Sequence, residues 1–105
     1  IIAGVDKEAP ALYSTDPSGT YLEYNAIAIG GGSDVANEFL EQNYKDDAPF
    51  DDAVNLALKC ILKVNEGKVD PVNVKVAIIE SSSRKMRMLS KEDVSAKIEN
   101  LAKEF

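Results

Sequence analysis

The segment Asp16-Pro17-Ser18-Gly19 constrains the fold more than any other part of this sequence. Asp can hydrogen-bond back to the turn, Pro presets φ at the second position, and Gly suits the exit, which is the chemistry of a type I turn. Apolar and β-branched residues stand on both sides, at 11–15 and 20–29. The sequence therefore predicts two antiparallel strands joined by a tight turn.

Further strands are predicted before and after this turn. Ile1–Val5 is an apolar run that ends at a polar turn, residues 6–8, and we expect it to pair with the strand at 11–15. In the long strand predicted at 20–29, small and apolar residues occupy one face, whereas the other face changes from polar to apolar at Ile27. This strand is expected to run from a partly exposed edge into a region covered on both sides.

Two helices are predicted after the glycines at 30–32. Ser33 is placed to cap a helix that runs to about Tyr44. Its inner stripe is Val35, Ala36, Phe39 and Leu40. A second helix is predicted from about Phe50 to Glu66, before Gly67. Its apolar stripe, wide enough to require more than one neighbour, is Phe50, Val54, Ala57, Leu58, Ile61 and Leu62.

The C-terminal part continues with two strands and a helix. Alternation predicts a strand over Val74–Ile79 and another around Met86–Met88, and Ser90 with Asp93 predicts a capping box. The last helix carries a continuous stripe of Val94, Ile98, Leu101 and Phe105. The order β-β-β-α-α-β-β-α indicates an α+β fold with mostly antiparallel strands, and residues 1–105 are expected to form a single domain.

Composition excludes several classes of function. The net charge of −6 argues against binding to nucleic acid, which relies on Lys and Arg. The apolar runs are far shorter than the roughly 20 residues that span a bilayer, so no membrane association is expected. The absence of histidine removes Ser-His and Cys-His nucleophile pairs and imidazole metal sites. Cys60 is the only cysteine, which favours a reducing, cytoplasmic setting.

The first residue is Ile1 and not methionine, and it stands in the middle of a predicted strand. Natural domains seldom begin so abruptly. We therefore expect the chain to be part of a longer polypeptide.

The sequence around the first turn resembles proteasome α-type subunits. These subunits read as an apolar strand ending in Gly-Val-Asp, followed by Tyr-x-Thr-Asp-Pro-Ser-Gly-Thr-Tyr, and residues 3–6 and 13–21 match both parts at the expected separation. The resemblance continues in register through Ala28-Ile29-Gly30, Gly32-Ser33 and Phe39-Leu40-Glu41. It then extends over Ala53, residues 56–59 and Val74–Ile79, so it covers nearly the whole chain.

This resemblance implies the C-terminal half of an N-terminal-nucleophile (Ntn) hydrolase fold, a sandwich of four αββα layers. Related α subunits form a seven-membered outer ring that stacks on catalytic β subunits, gates substrate entry and docks regulatory ATPase caps in ATP-dependent degradation. Their location is cytoplasmic, and also nuclear in eukaryotes. The gating tail, the first helix and the pocket lysine of such subunits have no counterpart here. Pro49 stands where the family has a serine cap, so Asp47 or the first-turn acids must satisfy the free amides.

An enzymatic role is not expected. An Ntn hydrolase uses a first-residue Thr, Ser or Cys, whereas Ile1 has neither hydroxyl nor thiol, and Thr15 and Thr20 are internal. The resemblance also implies a supporting serine at Gly31 and an Asp-x-x-Ser motif at 69–73, and both are missing. No catalytic, cofactor-binding or metal-binding residue is therefore assigned.

Five other groups each allow a functional interpretation beside a structural one. Gly30–Ser33 could cradle phosphate, but close packing is favoured. Asp46, Asp47, Asp51 and Asp52 could bind Ca²⁺ or Mg²⁺, but a solvated helix start is favoured. For Cys60, a buried free thiol is favoured over a redox role. Three tyrosines are expected to pack in the hairpin, namely Tyr13, Tyr21 and Tyr24. The basic cluster is expected to face solvent or another subunit, and it consists of Arg84, Lys85 and Arg87.

A free-standing half-sandwich that binds a protein or a small ligand is the alternative function. The two possibilities differ in surface chemistry, because half of a sandwich would expose a sheet face. We expect that face to carry Ile27, Ile29, Val76 and Ile78. Soluble monomers rarely expose such large patches, so we expect the isolated chain to associate with its missing half or with itself.

Overall fold

Over residues 1–7 and 9–105, which the computed structural model describes, the chain forms three α-helices and two antiparallel sheets. The α+β class predicted from the sequence is confirmed. Along the chain, the elements are β1 (Ile2–Val5), β2 (Pro10–Thr15), β3 (Tyr21–Glu23), α1 (Ser33–Asn43), α2 (Phe50–Val64), β4 (Ala77–Ile79), β5 (Met86–Met88) and α3 (Lys91–Ala102). One sheet has the order β1-β2-β3, and β4 and β5 form the other.

The turn at 16–19 closes the β2–β3 hairpin as predicted. The N–H of Gly19 donates to the carbonyl of Asp16 at 3.0 Å, and the Asp16 carboxylate accepts from the N–H of Ser18 at 2.9 Å. Gly19 has a φ of 89°, which a residue without Cβ adopts readily. Thr15 then pairs with Tyr21 and Tyr13 with Glu23. The predicted turn between β1 and β2 includes Glu8, which lies outside the described residues.

The long strand predicted at 20–29 is wrong beyond residue 23. β3 contains only Tyr21–Glu23, with one further ladder bond from the N–H of Tyr24 to the carbonyl of Leu12 at 2.9 Å. Continuing the register of β2 and β3 would place residues 25, 27 and 29 opposite 11, 9 and 7. β2 begins at Pro10, which has no N–H to donate, so the neighbouring strand ends too early for the ladder to continue.

Two predictions about α1 are also wrong. Ser33 is the first helical residue, and Gly32, in a left-handed conformation with φ 79°, is the N-cap without a side-chain hydrogen bond. Val35 is exposed, so its predicted place in the inner stripe is wrong. Ala36 is buried and Phe39 and Leu40 are half-buried, because only this part of the helix faces another element. The C-terminal boundary at Asn43 agrees with the prediction to one residue.

The hydrophobic core lies where α2, α3 and β4 meet. Its buried residues are Val54, Leu58, Leu62, Ile78, Val94, Ile98 and Leu101. Only half of the wide apolar stripe predicted for α2 is therefore buried. Val54, Leu58 and Leu62 face this core, whereas Phe50, Ala57 and Ile61 are exposed. The second neighbour expected to cover the latter three is not provided by the described residues.

The ends of α2 and α3 are defined by local groups. The Ser90 hydroxyl accepts from the N–H of Asp93 at 3.1 Å, so this cap is confirmed. Phe105 lies beyond the end of α3 and is exposed, which corrects its assignment to the apolar stripe. α2 ends at Val64, two residues before the predicted end, and Gly67 follows with φ 79°. Pro49 precedes α2 without a side-chain cap, so the expected capping by acids is not observed.

The strand predicted over Val74–Ile79 is reduced to Ala77–Ile79. Before it, Pro71–Asn73 forms a short 3₁₀ turn, and the Asp70 carboxylate accepts from the N–H of Val72 at 3.0 Å. Residues 74 and 76 instead pack their side chains on the core. β4 pairs with β5 from Ala77 opposite Met88 to Ile79 opposite Met86. β5 is exposed along its whole length.

Candidate functional site

An apolar groove of about 530 Å³ lies between α1, α2 and the segment that precedes α1. Its floor and walls are mostly aliphatic, and it borders the face of α2 that the core leaves uncovered. The helical side chains along it include Ala36, Leu40, Ala57, Cys60, Ile61 and Val64. Such a volume is in the range of small-molecule sites, and an uncovered apolar groove is equally typical of a surface that packs against another polypeptide.

The other wall of this groove is the 24–29 segment, the six residues from Tyr24 to Ile29. Asn37, on α1, holds this segment with its side-chain amide. Its Oδ1 accepts from the N–H of Ala28 at 2.8 Å, and its Nδ2 donates to the carbonyl of Ala28 at 3.0 Å. One residue of an antiparallel strand exchanges the same two bonds with its partner. At Ala28, the Asn37 side chain thus makes the two hydrogen bonds that a longer β2 would have made.

Neither the groove nor the role of Asn37 was predicted from the sequence. The available signal was an asparagine in the interior of a predicted helix. Asn is unfavourable there, because its amide competes for backbone groups outside the helix. Asn37 is half-buried and bonds to such a group nine residues earlier. The apolar stripe predicted for α1 consists of hydrophobic residues only and therefore does not include Asn37.

Within Gly30–Ser33, Gly32 packs closely against α2. A methyl group on Gly32 would overlap with the side chain of Val64, and the positive φ of Gly32 also disfavours other residues. The N–H of Ser33 donates to the carbonyl of Gly30 at 3.2 Å, and that of Ala36 to the carbonyl of Gly32 at 3.1 Å. The close packing predicted for this glycine run is therefore present at Gly32, whereas Gly30 and Gly31 face open space.

The four aspartates near the start of α2 are all exposed. Within residues 1–7 and 9–105, no group of three or more acidic, Cys or His side chains is arranged to hold a metal ion. Asp46 interacts instead with Tyr44, whose pKa is raised by desolvation and by its hydrogen bond to this carboxylate. Asp51 and Asp52 lie in the first turn of α2, where negative charge is favourable to the helix dipole.

Cys60 is a buried free thiol, as expected. Its side chain lines the groove, and only 6% of the residue is exposed. Burial raises the pKa of the Cys60 thiol above its ordinary value. Since the thiolate is the reactive form, this environment lowers its reactivity at neutral pH.

The tyrosines lie in or next to β2 and β3, and the basic cluster lies in or next to β5. The rings of Tyr13 and Tyr21 are 5.9 Å apart in an edge-to-face arrangement, which confirms hairpin packing for this pair. A hydrogen bond to Glu23 raises the pKa of Tyr13. Tyr24 is half-buried at the end of the ladder. The basic side chains at 84, 85 and 87 are exposed around β5, and Arg87 pairs with Glu80 at 3.1 Å.

The residues relevant to hydrolase chemistry are distributed over the first sheet, its β2–β3 turn and the connection between α2 and β4. Ile1 is an exposed residue next to β1, and Thr15 is the last residue of β2. The Thr20 hydroxyl lies 3.1 Å from that of Ser18 within the turn. Residues 69–73 include the short 3₁₀ turn that packs near α3.

The apolar patch predicted from the sequence is wrong in two of its four residues. Ile78 belongs to the core, and Val76 is half-buried against it, because α2 and α3 cover β4. Ile29 is exposed and Ile27 is half-buried, and both border the groove. Within the described ranges, none of the helices combines the length and apolar character needed to cross a membrane.

Comparison with known proteins gives a consistent result over the same residues. A family model described as "Proteasome subunit" matches residues 1–79. Proteins named "Proteasome subunit alpha" match 96% of the chain. They are 40% identical in Methanothermobacter thermautotrophicus, 41% in Saccharolobus islandicus and 43% in Pyrobaculum aerophilum. The chain spans only about two fifths of the length of these relatives, 41–43%, and the matched region is their C-terminal part.

Proposed function

The chain belongs to the proteasome subunit family, and on this premise we propose that it acts as the C-terminal part of a non-catalytic α-type subunit. The similarity to proteins named "Proteasome subunit alpha", along 96% of the chain, carries this proposal. The turn at 16–19 supports it, because it folds as the family-like sequence predicts. Residues 1–105 would then contribute a single domain to one half of the four-layer αββα sandwich.

The proposed partners follow from the same premise. The chain would assemble with other α subunits in a seven-membered outer ring, next to β subunits, and contribute to gated, ATP-dependent protein degradation with regulatory ATPase caps. A cytoplasmic location, or a nuclear one in a eukaryote, agrees with this role. The uncovered groove and the exposed side chains along β5 support assembly, because apolar surfaces of this kind are usually covered by partners.

We also propose, from the sequence, that this subunit supplies no residue for catalysis or for binding a cofactor or metal. A peptide-hydrolysis assay with a threonine-directed inhibitor tests this part. We expect no inhibitor-sensitive turnover from the purified chain. Turnover that the inhibitor abolishes would contradict the non-catalytic assignment.

The assembly is tested by the native mass of the purified chain, measured by light scattering after size exclusion. We expect a ring-sized or otherwise assembled species. A stable monomer near 11.4 kDa with a cooperative melt would contradict the proposal as it applies to this chain. Co-expression with the α subunit of Methanothermobacter thermautotrophicus, followed by the same measurement, extends the test to mixed assemblies.

A small-ligand-binding module is the second candidate, and the groove of about 530 Å³ favours it. Binding of an apolar fluorescent dye to a monomeric fraction would test it. In that case we expect saturable 1:1 binding, lost in Ile61→Glu, because Ile61 borders the groove and is already 39% exposed. Weak binding that does not saturate and is unaffected by this substitution would exclude the module.

A further inference from the structure

The outer backbone edge of β5 is free. Within residues 1–7 and 9–105, β5 pairs with β4 alone. In the same register, the N–H of Leu89 donates to the carbonyl of Val76 at 2.9 Å. Hydrogen-bonded and non-hydrogen-bonded pairs alternate along an antiparallel ladder, so the N–H and C=O groups of Met86 and Met88 point away from β4. An unpaired edge of this kind can accept another strand.

The two methionines form an apolar strip along this edge. Met86 and Met88 are two residues apart, so their side chains lie on the same face of the strand. They are 65% and 52% exposed. Methionine is flexible and polarizable, and it is common on surfaces that bind peptides. A strand added to β5 would place every second side chain of its own against this strip.

The residues around the methionine strip are basic. Four exposed side chains in the segment 84–91 are positively charged, namely Arg84, Lys85, Arg87 and Lys91. Residues 81–91 contain no acidic residue, although the whole chain has a net charge of −6. Arg87 pairs with Glu80 at 3.1 Å, whereas Arg84 and Lys85 make no ion pair to any residue that the structure describes. Negative charge on an incoming strand would therefore be favourable.

This charge pattern determines which strands can pair with β5. Antiparallel pairing with β5 of a second copy would bring two basic segments together, and like charges on adjacent strands are destabilising. An acidic strand has the complementary charge. We propose that the outer edge of β5 binds an extended acidic segment of a partner protein, in which acidic residues alternate with apolar ones. Its apolar residues would contact Met86 and Met88, and its acidic residues would lie on the opposite face, with Arg87.

Peptide binding tests this edge directly. Binding here does not require the family assignment, so its absence would leave the proposed function intact. The probe is a capped, fluorescently labelled peptide of alternating Glu and Val, added to the intact chain in its native state of assembly. One control peptide alternates Lys and Val, and the other has its Glu and Val residues in separate blocks. We expect one acidic alternating peptide to bind per chain, and both controls to bind at least about tenfold more weakly.

Hydrogen exchange locates the bound peptide. The amides of Met86 and Met88 should exchange at least about tenfold more slowly in the complex, because strand pairing converts them into ladder donors. The Leu89 amide is the internal control. Its N–H already donates to the carbonyl of Val76, so its exchange should change much less.

Two substitutions of Met86 separate the backbone from the side chain. Met86→Pro removes an N–H that points away from β4, so the β4–β5 ladder remains while the outer edge loses a donor. Met86→Ala keeps this donor and shortens the methionine strip. We expect the proline variant to bind the acidic peptide at least about tenfold more weakly, and the alanine variant to show a smaller loss. Slow exchange of the Leu89 amide in both variants verifies that the hairpin is intact.

A charge reversal tests the basic cluster. Lys85→Glu should weaken binding of the acidic peptide at least about tenfold and reduce its dependence on salt. Lys68→Glu is the matched control. Lys68 is also exposed, lies outside the β4–β5 hairpin, and gives the same change in net charge. This variant should bind the peptide almost normally.

Each alternative has a distinct result. Equal binding of the acidic and basic peptides, or undiminished binding by Lys85→Glu, would overturn the assigned charge selection. Binding without slower exchange at Met86 and Met88 would overturn strand pairing. Slower exchange that depends only on the concentration of the chain would show that a second copy occupies the edge, which also overturns the proposal. Absence of saturable binding would exclude the acidic partner altogether.

Discussion

Replacing Asn37 by leucine tests how the 24–29 segment is held against α1. The substitution removes the acceptor for the N–H of Ala28 and the donor to its carbonyl, at 2.8 and 3.0 Å. Each hydrogen bond contributes a net stability of about 1 kcal/mol. Leucine is better than asparagine in a helix by roughly 0.5 kcal/mol, which offsets part of this loss. We expect the local opening free energy of the segment to fall by about 1–2 kcal/mol.

Hydrogen exchange at the Ala28 amide is the appropriate assay, because it reports local opening even in an assembled state. The expected loss corresponds to exchange that is roughly 5–30 times faster. Asn37→Asp should be intermediate, since a carboxylate keeps the acceptor for the Ala28 N–H but loses the donor to the carbonyl. The two variants thus separate the contributions of the two bonds.

Asn43→Leu is the matched control. Asn43 lies at the end of the same helix, and its Nδ2 donates only to the carbonyl of Phe39, at an exposed position. The change therefore provides a similar gain in helix propensity without touching Ala28. Equal Ala28 exchange rates in Asn37→Leu and Asn43→Leu would refute the role assigned to the Asn37 amide.

Three further predictions concern the core, the thiol and the first turn. Leu62→Ala should destabilise the chain by about 2–5 kcal/mol because Leu62 is fully buried, whereas Leu22→Ala, at a 58% exposed site, should have little effect in urea unfolding. Alkylation of Cys60 should be slow at neutral pH and become fast in denaturant, because burial raises its pKa; equal rates would contradict this. The hydrogen bond from Ser18 lowers the pKa of Asp16, so this contribution to turn stability is present above the ordinary carboxylate pKa and is lost as pH falls through the lowered value. In an NMR titration, Ser18→Ala should return the Asp16 pKa towards its ordinary value, and no change would argue against this bond.

The predictions that succeeded concern interactions between residues close in sequence. Asp16 reaches Ser18 two residues away, and Ser90 reaches Asp93 three residues away. The stripe of α3 is correct at Val94, Ile98 and Leu101 because helical periodicity alone places them on one face. The functional assignment also came from the sequence, since the family-like segments are contiguous stretches of residues.

The predictions that failed depend on elements far apart in the chain. Whether residues 24–29 form a strand depends on the length of β2, which ends the ladder at Pro10. Ile78 is buried because α2 and α3 cover β4, and Ile61 is exposed because no described element lies over it. Local sequence cannot specify the length of β3 or the burial of Ile78 and Ile61. An apolar side chain indicates that burial is favourable, but it does not indicate which element will cover it.

The sequence by itself therefore determined the turn at 16–19, the Ser90 cap of α3, the α+β class and the family, because each is recorded in residue types along contiguous stretches of the chain. The tertiary structure alone decided which apolar face of α2 enters the core, how far β3 extends and what replaces its missing neighbour. The physical reason is that burial and strand pairing are properties of two surfaces in contact. At Tyr24 the second surface is the β2 backbone at Leu12, and at Ala28 it is the Asn37 side chain.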